Sequence, residues 1–243
     1  MMNYFDTHCH VDLAEDRTRL VQQINQQKIY TLAMTNLPSL FEKNKATILE
    51  SKYLKHALGY HPELISQFPN QLKKFESQIS KTRYIGEVGI DASNRNKQSL
   101  GTQIEVFEKI LQMTTNESNK IFTIHSRKAE KKVLELLKQY KGGKKILHWF
   151  QGDEREVEEA VNLGCYFSFN SNMLLTKKGK LLMKKVPLSR ILLESDFPFT
   201  VDNSRELQRS YYQSIIDGLV KEIGIEASIF ESQLQKNQFD ILN

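Results

Sequence analysis

The chain has 243 residues, a net charge of +5 and 40% hydrophobic residues, which excludes an intrinsically disordered protein and an assembly of several large domains. No apolar run approaches the roughly 18 residues that cross a bilayer, and no basic, apolar leader opens the sequence, so we expect neither a membrane span nor a secretory signal. Two cysteines, Cys9 and Cys165, make no disulfide framework, and they favour a reducing, cytoplasmic location.

The positive charge comes from lysines that crowd at residues 131–132, 141–145, 177–180 and 184–185. A basic surface attracts polyanions such as nucleic acids, because each neutralised phosphate releases counterions. Solvated faces of ordinary surface helices would show the same lysines. Charge alone therefore does not choose between a nucleic-acid-binding protein and any other globular protein.

Short β-rich apolar runs alternate with amphipathic helical stretches along the whole chain. The predicted strands are residues 4–6, 29–34, 56–59, 84–88, 121–124, 145–147, 165–169 and 190–193. The predicted helices are residues 17–26, 41–50, 103–114, 128–140, 154–163, 177–185, 209–221 and 226–239, and an extra helix is expected between 63 and 81. Eight alternating strands predict an α/β fold, a single (β/α)₈ barrel domain over residues 1–243. Functional groups are then expected at the C-terminal ends of the strands.

The first predicted strand leads into His8 and His10. Side chains two positions apart in a strand share a face, so these imidazoles can hold one metal ion together. Cys9 lies between them and is expected on the opposite face, packed in the core. The fourth strand carries Glu87, an acidic residue that would be costly to bury in an apolar strand without a cation beside it.

Histidines also follow later strands. His125 follows the fifth strand and His148 the sixth, and His61 follows the third, whereas His56 opens the third strand and is expected to lie apart. Asp196 follows the eighth strand. A random scatter of six histidines would not favour strand ends in this way.

Four imidazoles and two carboxylates suffice to hold two divalent metal ions, with Glu87 able to bridge them through its two oxygens. Imidazole with carboxylate suits zinc or manganese, and oxygen-only sites suit magnesium. Paired metals stabilise phosphoryl transfer and lower the pKa of bound water to about 7. Asp196 and Glu87 are therefore the expected catalytic residues, with Asp196 taking a proton from the water.

Five motifs carry a resemblance that spans nearly the whole chain. They are DTHCHVD at 6–12, GYHPE at 59–63, GEVGID at 86–91, IHSRKA at 124–129 and ESDFP at 194–198. In this order they resemble the TatD family of metal-dependent deoxyribonucleases. That resemblance implies hydrolysis of DNA phosphodiesters, often from the 3′ end of a single strand, with two ions of magnesium, manganese or zinc.

The resemblance also implies residue roles. One metal would be held by His8, His10 and Asp196, and the other by His125 and His148. Glu87 would bridge the two ions, and His61 and Arg127 would line the site near the substrate phosphate.

The sequence departs from the family in two places. His148 precedes Trp149-Phe150-Gln151-Gly152 where the family commonly has Cys-Phe-Ser-Gly, and the segment 199–204 lacks the usual proline- and arginine-rich pattern. The chain is also similar to divergent members of anti-phage gene clusters, such as the QatD component of the Qat system. Partner proteins encoded in a defence operon are therefore one expectation, beside an ordinary housekeeping role, and the oligomeric state is left open.

Four residues near the motifs allow two interpretations each. Trp149 either stacks on a nucleobase or covers the barrel rim. Arg127 is expected to bind phosphate rather than pair with Glu130. Asp91 either shapes its loop, which we favour, or orients the far nitrogen of a ligand. Asp12 is expected to cap the first helix or fix its loop.

Two other functions compete with a nuclease. An amidohydrolase-type enzyme would cut C–N or C–O bonds on the same barrel, but such enzymes often bridge their metals with a carboxylated lysine on the fourth strand, where this chain has Glu87. A non-catalytic module of a defence complex would retain its biological effect when the metal ligands are substituted.

Overall fold

The structure is a computed structural model that describes residues 4–200 and 207–243. Eight strands pair in parallel in the order β3-β2-β1-β8-β7-β6-β5-β4. They are β1 (Tyr4–Cys9), β2 (Ile29–Ala33), β3 (Leu54–His56), β4 (Tyr84–Gly89), β5 (Ile121–His125), β6 (Lys144–His148), β7 (Tyr166–Phe169) and β8 (Ile191–Leu193). A parallel bridge between Leu58 and Ile85 joins the two outer strands. The expected (β/α)₈ architecture is confirmed.

Helices follow the strands and surround the barrel. They are α1 (Arg17–Gln27), α2 (Pro38–Thr47), α3 (Leu72–Gln78), α4 (Leu100–Met113), α5 (Glu130–Gln139), α6 (Glu154–Asn162), α7 (Ser171–Leu174), α8 (Lys177–Lys185), α9 (Arg209–Ile223) and α10 (Ala227–Leu242). The extra helix expected between 63 and 81 is α3. Asp16, rather than Asp12, caps α1 by accepting from Arg19 N at 2.9 Å. Asp12 fixes its loop instead, by accepting from Asn44 Nδ2 at 3.0 Å.

The third strand lies earlier than predicted, at Leu54–His56 instead of residues 56–59. Strands are predicted from apolar runs, and the polar Lys55 interrupts the run here. The sequence pattern therefore placed the strand too late in the chain. His56 therefore ends the strand rather than opening it. Its ring bonds to Ile48 O at 2.7 Å, and it does not line the described cavity at the barrel mouth.

Apolar side chains fill the barrel and the layer between strands and helices. Cys9 and Cys165 are fully buried free thiols, and both pack in this core as expected. No helix within residues 4–200 and 207–243 is long and apolar enough to cross a bilayer.

Lysines of α8 have acidic partners on neighbouring helices. Lys180 and Lys184 lie 3.8 Å and 3.1 Å from the carboxylate of Glu222, and Lys185 pairs with Glu154. These pairs are solvent-exposed and contribute little to stability. For this lysine cluster the structure favours the interpretation as a solvated helix face.

The barrel closes where the segment after β3 pairs with β4, and Gly59 makes this close contact possible. A Cβ atom there would lie 1.8 Å from Thr35 O and 2.5 Å from Glu87 N. Tyr60 N donates to Glu87 O at 3.0 Å across the same seam. The close backbone approach thus fixes the position of Glu87 at the barrel mouth.

We predict that Gly59→Ala lowers the free energy of unfolding by about 3 kcal/mol or more, because the added methyl would overlap backbone atoms that have no room to move. The matched control is Gly101→Ala. Gly101 lies exposed in the first turn of α4 with nothing within 4 Å of the added Cβ, so this change should raise stability by up to about 1 kcal/mol. Urea denaturation of the two variants measures both effects. Equal stabilities would contradict the tight seam.

Candidate metal centre

The side chains predicted from the sequence converge at the C-terminal ends of the strands. One cavity of about 310 Å³ is lined by eight of the nine: His10, His61, Glu87, His125, Arg127, His148, Trp149 and Asp196. The ninth, His8, is fully buried and contacts the lining residues from below. The polar residues at the strand ends therefore surround one shared cavity.

Glu87 lies at the centre of the cluster. Its Oε2 atom is 3.3 Å from His8 Nε2, 3.4 Å from His10 Nε2 and 3.3 Å from His61 Nε2. Its Oε1 atom is 2.7 Å from His125 Nδ1. A 2% exposed carboxylate is thus surrounded by imidazole nitrogens from three other parts of the barrel.

Asp196 approaches the cluster from the side of β8. Its Oδ1 atom lies 3.9 Å from His8 Nε2 and 3.7 Å from His10 Nε2, and its Oδ2 atom lies 3.9 Å from His148 Nε2. Its backbone adopts a left-handed conformation with φ of 46°, and its N–H donates to His8 O at 2.8 Å. The turn after β8 is therefore tied directly to the end of β1.

Among the described residues, three sets of candidate ligands have atoms that all lie within 4.8 Å of one another: His8, His10 and Asp196; His8, Glu87 and His148; and His61, Glu87 and His125. The first set is the one that the resemblance implies. His125 and His148, which the resemblance assigns to the second ion, fall in two different sets that share Glu87. His61 lies beside His125 instead, at 5.3 Å between centroids.

His148 is held from behind by Glu194, which the sequence analysis missed. Glu194 is fully buried and accepts from His148 Nδ1 at 2.8 Å, from Asn170 Nδ2 at 2.8 Å and from the Ser168 hydroxyl. The bond at Nδ1 fixes the tautomer and leaves Nε2 facing Glu87 and the cavity. An acidic residue at the end of an apolar strand was the available sequence clue, as it was for Glu87.

His125 and His8 are held in the same way. His125 Nε2 lies 2.9 Å from Asp91 Oδ2, and His8 Nδ1 lies 2.7 Å from Thr123 Oγ1. Asp91 also accepts from Ser93 N at 2.8 Å. The favoured loop role of Asp91 is therefore incomplete, because the same carboxylate orients an imidazole whose other nitrogen faces Glu87.

His61 differs from the other imidazoles. Its Nδ1 accepts a hydrogen bond from the backbone N–H of Glu63 at 3.2 Å, at the start of a 3₁₀ turn. The ring proton is therefore on Nε2, which faces Glu87. As placed, His61 is a hydrogen-bond donor at the cavity wall, which suits contact with a substrate oxygen.

The two central carboxylates differ in their electrostatics. Burial raises the pKa of Asp196 to about 7. Burial also opposes ionisation of Glu87, but His61 and His8 hold the pKa of that carboxyl well below its usual range. Glu87 is therefore the fixed negative charge, and Asp196 is the group suited to exchanging a proton near neutral pH.

The imidazoles respond to these carboxylates. Burial opposes protonation of His125, but its hydrogen bonds to Asp91 and Glu87 raise its pKa to about 9. Burial likewise opposes protonation of His148, but Glu194 and Asp196 raise its pKa to about 10. The cavity thus favours positive charge, and a metal ion binding there would displace these protons.

The donor set fits divalent cations. It combines imidazole nitrogens with two buried carboxylates, and buried ionised carboxylates require a cation or hydrogen-bond donors around them. His10 Nδ1 is buried without a hydrogen-bond partner among the described residues, while its Nε2 lies 3.2 Å from His8 Nε2. Two imidazole nitrogens this close are well placed to share one ion.

The cavity rim carries residues that the sequence analysis did not single out, namely Glu63, Arg95, Ser126, Gln151 and Phe199. Arg127 and Trp149 line the rim as expected. Arg127 is exposed and forms no ion pair with Glu130 or any other described residue. Residues 201–204 of the shortened segment 199–204 lie outside the described residues.

A family model described as TatD related DNase matches residues 5–243. The chain is 28% identical over 223 residues to a protein of Klebsiella pneumoniae named 3'-5' ssDNA/RNA exonuclease TatD, covering 85% of this chain and 83% of that one. It is 25% identical over 206 residues to an uncharacterised metal-dependent hydrolase of Methanocaldococcus jannaschii, covering 82% and 80%. The crystal structure of a TatD homologue from Escherichia coli shares the fold, with a TM-score of 0.84 at 20% identity, over 98% of this chain and 97% of that one.

We predict that Glu194→Gln weakens Mn²⁺ binding by about 10- to 100-fold, as measured by isothermal titration calorimetry. Three donors point at the carboxylate, and the glutamine NH₂ group would face at least one of them. Asn170 is not free to turn its amide, because its Oδ1 accepts from Met173 N at 3.2 Å.

Glu222→Gln is the matched control, since it removes an exposed carboxylate paired with Lys184. It should bind Mn²⁺ as the wild type does. Wild-type affinity in a folded Glu194→Gln variant would show that the carboxylate behind His148 does not support metal binding.

Proposed function

The chain belongs to the TatD-related DNase family and is a metal-dependent hydrolase, and we propose that it cuts phosphodiester bonds in DNA at unpaired 3′ ends, using two divalent ions. One observation carries the proposal: the buried Glu87 carboxylate has imidazole nitrogens of four histidines within 3.4 Å, at the mouth of a barrel. The name of the Klebsiella relative supports a nucleic acid with a free single strand as substrate.

The proposed ligands of the first ion are His8, His10 and Asp196, and those of the second are His125 and His148, with Glu87 between the two. When bound, the ions lower the pKa of water to about 7 and neutralise charge that develops on the phosphate. Because imidazoles dominate the donor set, manganese or zinc suits it better than magnesium.

Asp196 is the proposed proton acceptor. Burial raises the pKa of this carboxyl to about 7, so the group is able to exchange a proton near neutral pH. Glu87 stays ionised and keeps the surrounding imidazoles oriented. His61 can donate its Nε2 proton to a phosphate oxygen, and Arg127 can hold a phosphate with its exposed guanidinium.

Two alternatives remain testable. Hydrolysis of a cyclic amide or lactone would favour the amidohydrolase hypothesis, which the glutamate at the bridging position opposes. A non-catalytic module would keep its biological effect after substitution of the ligands. A role in anti-phage defence, with partner proteins, stays a prediction.

We predict that Asp196→Asn lowers the rate of single-stranded DNA hydrolysis by about 10²- to 10⁴-fold, because the proton acceptor is lost. His148→Ala should also be inactive, and metal analysis should find less bound metal in it. The assay uses purified protein with Mn²⁺ or Mg²⁺ and a labelled strand, with Glu222→Gln as the control variant. Equal activity in all proteins would mean a contaminating nuclease or a wrongly placed site.

We also predict that DNA affinity falls as salt rises, because phosphate contacts release counterions. Arg127→Ala should make the slope of log affinity against log salt shallower by about 0.7 for a single strand. The control is Lys180→Ala, since this lysine already has Glu222 as its partner. Both changes are made in an Asp196→Asn background, so that DNA is not consumed, and fluorescence anisotropy measures binding. A flat salt response would argue against a nucleic-acid substrate.

A further inference from the structure

The cavity rim is chemically divided. Trp149 follows β6 and Phe199 comes shortly after β8, so the two aromatic side chains flank the end of β7. Arg95 and Arg127 follow β4 and β5, which are neighbours further round the barrel. An entering ligand therefore meets aromatic side chains along one arc of the rim and guanidinium groups along the adjoining arc.

Phe199 is unusual for its exposure. It is 60% exposed although phenylalanine is a large apolar residue, and it lines the cavity. Its ring stands edge-on to the His10 ring, with centroids 5.4 Å apart and planes at 84°. Its backbone N–H donates to Asp196 O at 2.8 Å. The aromatic face is thus held at a fixed place beside two proposed metal ligands.

Trp149 is fixed in a similar way on the other side of β7. It directly follows His148, and its ring stands edge-on to that histidine at 6.3 Å between centroids. Its backbone has φ of 39°, a left-handed conformation that is disfavoured for a bulky residue. Such conformations persist where the surrounding structure enforces them, often at functional sites.

The two arginines are not equivalent. Arg95 already forms an ion pair with Glu63, which also accepts from Asn96 Nδ2 at 3.1 Å. Arg127 has no such partner among the described residues. The cation with free hydrogen-bonding capacity is therefore Arg127, which follows β5, the strand next to the one that leads into Trp149.

We propose that Phe199, together with Trp149, forms a nucleobase subsite, which receives an unpaired base of the strand being cut while Arg127 holds a phosphate. The inference rests on the proposed function and specifies its substrate. The cavity, at about 310 Å³, lies at the small end of the ~300–1,000 Å³ range of ligand sites, a size that suits one nucleotide. Phe199 has no hydrogen-bonding group, so it would accept any base by stacking.

The experiment compares strands that differ by one base. Two single-stranded DNA substrates each carry one abasic residue, one at the last 3′ position and the other at the next-to-last. The reference strand has a base at every position. Initial rates with Mn²⁺ are measured for the wild type, Phe199→Ala and Phe199→Leu, which keeps apolar bulk without an aromatic face. Phe239→Ala is the matched control, because Phe239 is 66% exposed on α10 and does not line the cavity.

For the wild type and Phe239→Ala, kcat/KM on the reference strand should be about 5- to 150-fold higher than on one of the two abasic strands. This range corresponds to the loss of stacking of one base. Both Phe199 variants should lose most of this preference, mainly through a higher KM on the reference strand. Circular dichroism checks that each variant is folded. If Phe199→Ala does not fold, the result for Phe199→Leu tests the proposal.

Two results would overturn the inference, and they are distinguishable. If the wild type cuts all strands and Phe199→Leu keeps the same preference, Phe199 does not bind a base, and the proposed nuclease activity stands. If the wild type cuts no strand with Mn²⁺ while still binding the metal, the nuclease function fails and the subsite fails with it.

Discussion

The arrangement of the site depends on one ionised carboxylate that is buried at the mouth of the barrel. Glu87 cannot be removed from water without positive charge or donors around it, and the ends of β1 and β5 and the loop after β3 supply imidazoles at 2.7–3.4 Å. The tight seam at Gly59 holds the backbone of Glu87 in place. The cost of burying one charge is thus distributed over several strands.

Behind these imidazoles lies a second set of groups that decides which nitrogen each ring presents. Glu194 and Asp91 accept from the far nitrogens of His148 and His125, whereas the backbone N–H of Glu63 occupies Nδ1 of His61. The rings are chemically identical, yet the first two offer a nitrogen for metal binding and His61 presents a proton. The division between proposed ligands and a proposed substrate contact follows from these hydrogen bonds.

The sequence predicted the barrel and the cavity because both depend on local patterns: apolar runs mark strands, and polar residues after them mark the mouth. It misplaced β3, where Lys55 breaks a three-residue strand. It also missed Glu194, although an acidic residue after an apolar strand was a clue, and it favoured only the loop role of Asp91, because a sequence does not show which distant side chains meet. Likewise, the proximity of His61 to His125 depends on how the loop after β3 meets β5, which only the folded chain reveals.

The pairing of β1 with β8 has a consequence for how the protein is made. His8 and His10 are synthesised long before Asp196, whose N–H bonds to His8 O and which follows β8. A nascent chain that stops before β8 lacks the groups that complete the cluster. The cluster is therefore completed only after β8 has been synthesised, when the other seven strands are already available to fold around it.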